Sequence, residues 1–210
     1  MSESIWIQLI GTLPSVLWAA FATIVFLALR GPLVRSVIPR LTVFRALGFE
    51  FEMAGALLAQ AADEAHVDVT PQDRSGALGR MEHAADVLRG GRILWVDDHP
   101  ENNTTLTRLF RSVGMAVDTA RSTAEALAAL RRQSYDVILS DMGRADDPQA
   151  GITMLRELER RNIDLPVVIH AAHVDQERGV DRRAFAATAS PVEVVHYVID
   201  LMERARLGSP

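Results

Sequence analysis

The sequence predicts an α/β protein: a doubly wound, five-stranded parallel sheet preceded by a transmembrane helix and a helical connector. Three observations carry this. An uncharged apolar run occupies Ile5–Leu29. From Arg92 onward, short apolar runs alternate with amphipathic stretches five times in about 115 residues, the pattern of strand–helix units winding a parallel sheet. No glycine-rich phosphate loop follows the first of these runs, which disfavours a dinucleotide fold.

The first element is the membrane segment. Twenty-five residues lie between Ile5 and Leu29 without a charge. At about 1.5 Å per residue they exceed a hydrocarbon layer of roughly 30 Å. A cleaved signal peptide usually starts with basic residues, whereas this chain starts Met-Ser-Glu-Ser. Arg30, Arg35, Arg40 and Arg45 follow. Positive charge beside a span stays in the cytoplasm, so a single membrane pass with a cytoplasmic C-terminal domain is expected. The organisation expected is 1–30 tail and span, 31–91 juxtamembrane connector, and 92–210 the α/β domain.

The connector is mixed. Phe49 to Met53 alternates apolar and acidic residues, as in a half-exposed strand. Ala54 to Ala65 favours helix, Val67 to Gly76 reads as a loop, and Gly76 to Leu88 as a second helix. Its role is either a signalling or oligomerisation stalk or a plain spacer.

In the C-terminal part, Ile93–Val96, Met115–Ala120, Tyr135–Ser140, Pro166–Ala171 and Phe185–Ala189 read as strands. Helices are expected over Glu101–Val113, from the Ser122 capping box, over Gly151–Arg161, over Asp175–Arg183, and from Pro191 onward. In a flavodoxin-like strand order of 2-1-3-4-5, strands one and three are neighbours. Asp97 and Asp98 end strand one and Asp141 ends strand three. Three carboxylates then converge at the carboxyl end of the sheet, where such folds place their sites. Clustered carboxylates repel unless a cation shares them, and Mg²⁺ suits a few carboxylates plus water. An aspartate beside such an ion can act as a nucleophile toward phosphorus. Helix capping is the competing role, most of all for Asp98.

Composition narrows the classes. Of 210 residues, 49% are hydrophobic and 23% charged, which is the make-up of a folded protein. A net charge of −5 gives no reason to expect nucleic acid. Cysteine is absent, which removes disulfides and thiolate chemistry. All 22 basic residues are arginine. No histidine–carboxylate spacing makes a zinc signature. His170, His173 and His196 lie on separate elements and read as surface residues, although His173 is close enough to strand four to reach the pocket.

The stretch Trp95-Val-Asp-Asp-His-Pro-Glu-Asn-Asn103, together with Tyr135-Asp-Val-Ile-Leu-Ser-Asp-Met142, resembles the receiver domain of bacterial two-component response regulators. The resemblance covers Arg92 to about Leu207. It implies that Asp97, Asp98, Asp141 and the carbonyl of Gly143 hold Mg²⁺. It also implies that Asp141 accepts a phosphoryl group from a histidine-kinase partner. Two positions depart from the family. Ala171 stands where receivers carry a Ser or Thr hydroxyl, and Ser190 where they carry lysine. Arg144 is either a substitute positive charge or an exposed loop arginine.

Two functions are therefore expected. One is a membrane-anchored phosphoacceptor in a two-component phosphorelay, with no enzymatic activity beyond self-phosphorylation of Asp141. The other is a phosphorylation-independent receiver-like module that binds or forms homo-oligomers and is coupled to the membrane helix.

Overall fold

The computed structural model describes residues 52–145, 147–171 and 181–208. The predicted span Ile5–Leu29, residues 49–51 of the alternating stretch, His173 and most of the predicted helix Asp175–Arg183 lie outside them. Among the described residues, no helix is long and apolar enough to cross a membrane.

The domain is the predicted five-stranded parallel sheet. Its strands are β1 (Arg92–Val96), β2 (Ala116–Ala120), β3 (Val137–Ser140), β4 (Val167–His170) and β5 (Ala186–Thr188). They are ordered β2-β1-β3-β4-β5. Each central strand is apolar on both faces because both faces are covered. Ile93, Trp95, Val137 and Leu139 point into one core, while Leu94, Val96 and Ile138 point into the other. The register places Val96 opposite Ser140, so the residues that follow them leave the sheet side by side.

Seven helices are described. Residues 52–64 form α1, Pro71–His83 α2 and Ala85–Leu88 α3. Then follow α4 (Thr104–Ser112), α5 (Thr123–Leu130), α6 (Ala150–Arg160) and α7 (Pro191–Leu207). A 3₁₀ turn over Pro100–Asn103 leads into α4. The Ser122 capping box forms: its hydroxyl accepts from the Glu125 amide at 3.1 Å. Glu125 reaches back to the amide of Arg121 at 2.8 Å.

The connector departs from its sequence reading in three places. Glu52 and Met53 are helical rather than extended, because they continue the alanine-rich helix that follows. The loop expected over Val67–Gly76 ends at Thr70. The Thr70 hydroxyl caps the Asp73 amide, and Pro71 opens α2 at the first helical position, where its missing N–H costs nothing. The helix expected to run unbroken from Gly76 to Leu88 is interrupted at Ala84.

These connector helices share a core with the sheet. Leu58, Met81, Ala84 and Leu88 are fully or nearly fully buried in the same cluster as Val194, Val198 and Met202 of α7. Arg80 of α2 ties the same face to α7 through Asp200 at 2.6 Å. His196 accompanies it, half-buried at 3.1 Å from Arg80 rather than free on the surface.

Candidate functional site

The carboxyl ends of β1 and β3 carry the acids. Oxygens from Asp97, Asp98 and Asp141 lie within 4.8 Å of one another, so the predicted convergence is present. Asp97 is buried and the other two are partly exposed. Each carboxylate is oriented by a donor. His99 N–H donates to Asp97 Oδ1 at 2.7 Å and the Asn103 side-chain amide to Asp97 Oδ2 at 2.5 Å. Ala145 N–H donates to Asp98 Oδ2 at 2.8 Å, and Met142 N–H to Asp141 Oδ1 at 2.8 Å.

The electrostatics divide the three acids. Burial, followed by the charge of Asp97, raises the pKa of Asp141 above the usual carboxylate value. The Ala145 amide holds Asp98 below it. A cluster this close gains by sharing a divalent cation. Beyond these donors, Asp98 and Asp141 each offer a second oxygen. Three convergent carboxylates with oxygens to spare suit a hard ion that keeps part of its water.

The site opens into a cavity of about 930 Å³. Gly143 lines it. Gly151, at the start of α6, lets that helix approach. A Cβ there would stand 2.9 Å from the Asp141 carbonyl, and its amide donates to the Met142 carbonyl at 2.8 Å. Ala171 also lines the cavity and is buried, so a methyl group stands at that place in the wall. Ser190 lies at the entry to α7, and its backbone N–H donates to the Thr188 hydroxyl at 2.8 Å.

Arg144 is not an exposed loop arginine. It is only 6% exposed. Its Nη1 donates to Ser140 Oγ at 2.6 Å and to the Asp141 carbonyl at 2.9 Å. Its Nη2 donates to the Ala150 carbonyl at 2.9 Å and to Thr123 Oγ1 at 3.2 Å. The guanidinium thus lies behind the acids, bonded to the ends of the backbone that carry them. Burial disfavours its charge; Asp141, Asp97 and Asp98 favour it.

Two residues of the site were not assigned to it from the sequence. Asn103, the last residue of the first stretch that carries the resemblance, is buried against Asp97. His170 reads as a surface histidine but lines the cavity. Its Nδ1 lies 3.2 Å from the Thr188 carbonyl, and its ring meets Trp95 edge-on with centroids 6.1 Å apart. Burial lowers its pKa. The signal for Asn103 was its place in the turn directly after the two aspartates. For His170 it was its place at the end of β4.

Residues 93–190 match the family model of the response regulator receiver domain. The chain is 32% identical over 117 residues to the DNA-binding transcriptional regulator NtrC of Escherichia coli, which covers 54% of the chain and 24% of that protein. It is 36% identical over 89 residues to the transcriptional regulatory protein ZraR of Escherichia coli, covering 42% of the chain and 20% of that protein. It is also 29% identical over 102 residues to the sensor histidine kinase RcsC of Salmonella typhimurium, covering 49% and 10%. The chain thus spans about a quarter or less of these curated relatives. Among solved structures, a Francisella response regulator receiver domain aligns with 25% identity and a TM-score of 0.49, covering 55% of the chain and 99% of that domain. The matched segment contains Asp97, Asp98 and Asp141, an acidic cluster whose oxygens could share a metal ion.

Proposed function

We propose that the chain is a membrane-anchored receiver protein in which Asp141 accepts a phosphoryl group from a histidine-kinase partner. The observation that carries the reading is the approach of Asp97, Asp98 and Asp141 oxygens to within 4.8 Å. Asp97, Asp98, Asp141 and the carbonyl of Gly143 would hold Mg²⁺. When bound, the ion supplies charge neutralisation at the transferring phosphoryl oxygens.

The chain's own groups do the rest. The Met142 amide orients the Asp141 carboxylate through Oδ1. The other oxygen attacks phosphorus, the phosphorus–nitrogen bond of the donor phosphohistidine breaks, and an acyl phosphate forms on Asp141. The released imidazole takes up a proton from water. Arg144 stands in for the absent lysine as the nearby positive charge, acting from beneath the site rather than by contact. A charge held at that remove stabilises the transferring group less than a direct donor, whose loss typically costs about 10²–10³ in rate. Phosphorylation is therefore slow.

The uncharged run Ile5–Leu29 and the arginines after it support anchoring in the bacterial inner membrane with the receiver facing the cytoplasm. Output then passes to a protein partner, a homo-oligomer or the membrane helix.

The buried methyl of Ala171 favours a second reading. Without a hydroxyl to follow the phosphoryl group, the domain would bind or oligomerise without phosphorylation. Intact mass of the full chain in detergent separates the two. With Mg²⁺ and acetyl phosphate, one phosphoryl adduct is expected on the wild type and none on Asp141→Asn. No adduct from acetyl phosphate or from a phosphorylated histidine-kinase domain would overturn the first reading in favour of the second.

A further inference from the structure

The cavity that holds the acids is not walled by the receiver alone. Gln60, Ala61, Glu64 and Ala65, from the last turn of α1 and just beyond it, form part of its lining. The turn between β1 and α4 lies between that wall and the acids. Asn103 is bound to Asp97 Oδ2 at 2.5 Å. Two residues on, the Thr105 hydroxyl donates to Glu64 Oε1 at 3.1 Å, and Gln60 Nε2 donates to the same oxygen at 2.8 Å. Thr105 is buried while Glu64 is exposed, so the contact is shielded on the Thr105 side alone. A buried hydroxyl parted from its acceptor costs more than an exposed one.

We propose that the turn Asn103–Thr105 couples occupancy of the acidic pocket to α1, with Asn103 and Glu64 as positioning residues. The inference rests on Mg²⁺ binding at Asp97, Asp98 and Asp141. Asp97 has both oxygens engaged, one by His99 N–H and one by Asn103. A cation drawing on either Asp97 oxygen competes with one of these donors for its lone pairs, so it weakens or displaces the Asn103 amide. Asn103 is the last residue of the 3₁₀ turn and Thr105 the second residue of α4, so a shift of one is carried to the other. The bond at risk is Thr105 to Glu64. Its loss loosens the end of α1, where the Ala65 and Val67 amides close the helix on the Ala61 and Ala62 carbonyls at 3.0 and 3.1 Å. The chain preceding residue 52 enters the domain through α1. The device therefore reports the state of the pocket toward the N-terminal segment.

The test is amide hydrogen exchange on the full chain in detergent, with Mg²⁺ as the ligand and calorimetry to measure its binding. Saturating Mg²⁺ is expected to speed exchange at Glu64–Val67 about five-fold, the effect of losing one ordinary hydrogen bond. Thr105→Val is expected to bind Mg²⁺ within about two-fold of wild type and to exchange fast with or without it. Thr105→Ser, which keeps the hydroxyl, is expected to restore the response. A merely structural Thr105 would speed exchange in Thr105→Val yet leave the Mg²⁺ response in place. That result, or Mg²⁺ binding to wild type with no change at Glu64–Val67, overturns the coupling and leaves the proposed function standing. Absence of Mg²⁺ binding overturns the metal site and the coupling with it.

Discussion

The guanidinium of Arg144 donates at 2.9 Å to the backbone carbonyl of Asp141, so the positive charge is bonded to the main chain of the acid it neutralises. A second nitrogen reaches across to the Ala150 carbonyl at 2.9 Å, which joins the start of α6 to the same point. Few side chains but arginine have the planar fork to do both. Arg144→Met takes a donor from Ser140 Oγ and from the Ala150 and Asp141 carbonyls, the last of which keeps the Ser140 hydroxyl. The expected cost is about 2–4 kcal/mol in urea unfolding. Arg144→Lys is expected to recover less than half of it. A cost below about 1 kcal/mol for Arg144→Met would show that the network is dispensable.

Asp141 is burdened by burial and by Asp97. In chelator, Asp141→Asn removes a repelled charge and is expected to raise the urea midpoint. Adding Mg²⁺ is expected to stabilise the wild type and leave the variant nearly unchanged. Equal Mg²⁺ stabilisation of both would remove Asp141 from the ligand set.

His170 gives a pH dependence of fixed sign. Burial lowers its folded-state pKa below the unfolded value of 6.5, while the nearby Asp97 charge opposes the shift. The stability linked to it is full above pH 6.5 and is lost as pH falls through the folded value. His170→Phe is expected to flatten the acid side of a stability–pH profile. An unchanged slope would show that His170 protonates without penalty.

Ala145 adopts φ +47°, in the left-handed region, while its amide holds Asp98. Ala145→Gly relieves that strain but frees the unfolded chain. The net expectation is a gain of up to about 1 kcal/mol with Mg²⁺ binding retained. A destabilised Ala145→Gly would mean that the alanine methyl makes contacts worth more than the strain.

Truncation at residue 92 is expected to damage the domain. Leu58, Met81 and Leu88 are almost fully buried against it. Each such side chain is worth about 1.5–3 kcal/mol. A fragment 92–210 should unfold at lower urea than 52–210 and bind a hydrophobic dye. Equal midpoints would show that the connector helices pack without stabilising.

How much of this could be read from the chain differs by element. β1 and β3 were legible because strands buried on both faces are continuous apolar runs, and Asp97, Asp98 and Asp141 follow directly from where those runs stop. Ala171 and Ser190 could be placed beforehand because they follow closely on the ends of β4 and β5. The connector was harder. Its buried face is built largely from Ala54, Ala61, Ala77 and Ala84, and alanine gives almost no apolar stripe to read. Pro71, Asp73 and Gly76 look like loop residues until Thr70 is seen to cap them. Arg144 was ambiguous because a lone arginine beside acidic loop residues reads as solvated. Only the fold shows that the carbonyls of β1, β3 and α6 converge on it.

The packing of residues 52–91 against the sheet also fixes reach. A flexible stretch of that length would let its cargo wander roughly 35 Å from the attachment point. Bound into the core as it is, the stretch contributes no slack. Whatever is joined to the chain at residue 52 therefore follows each rotation of the sheet, with no play added by residues 52–91.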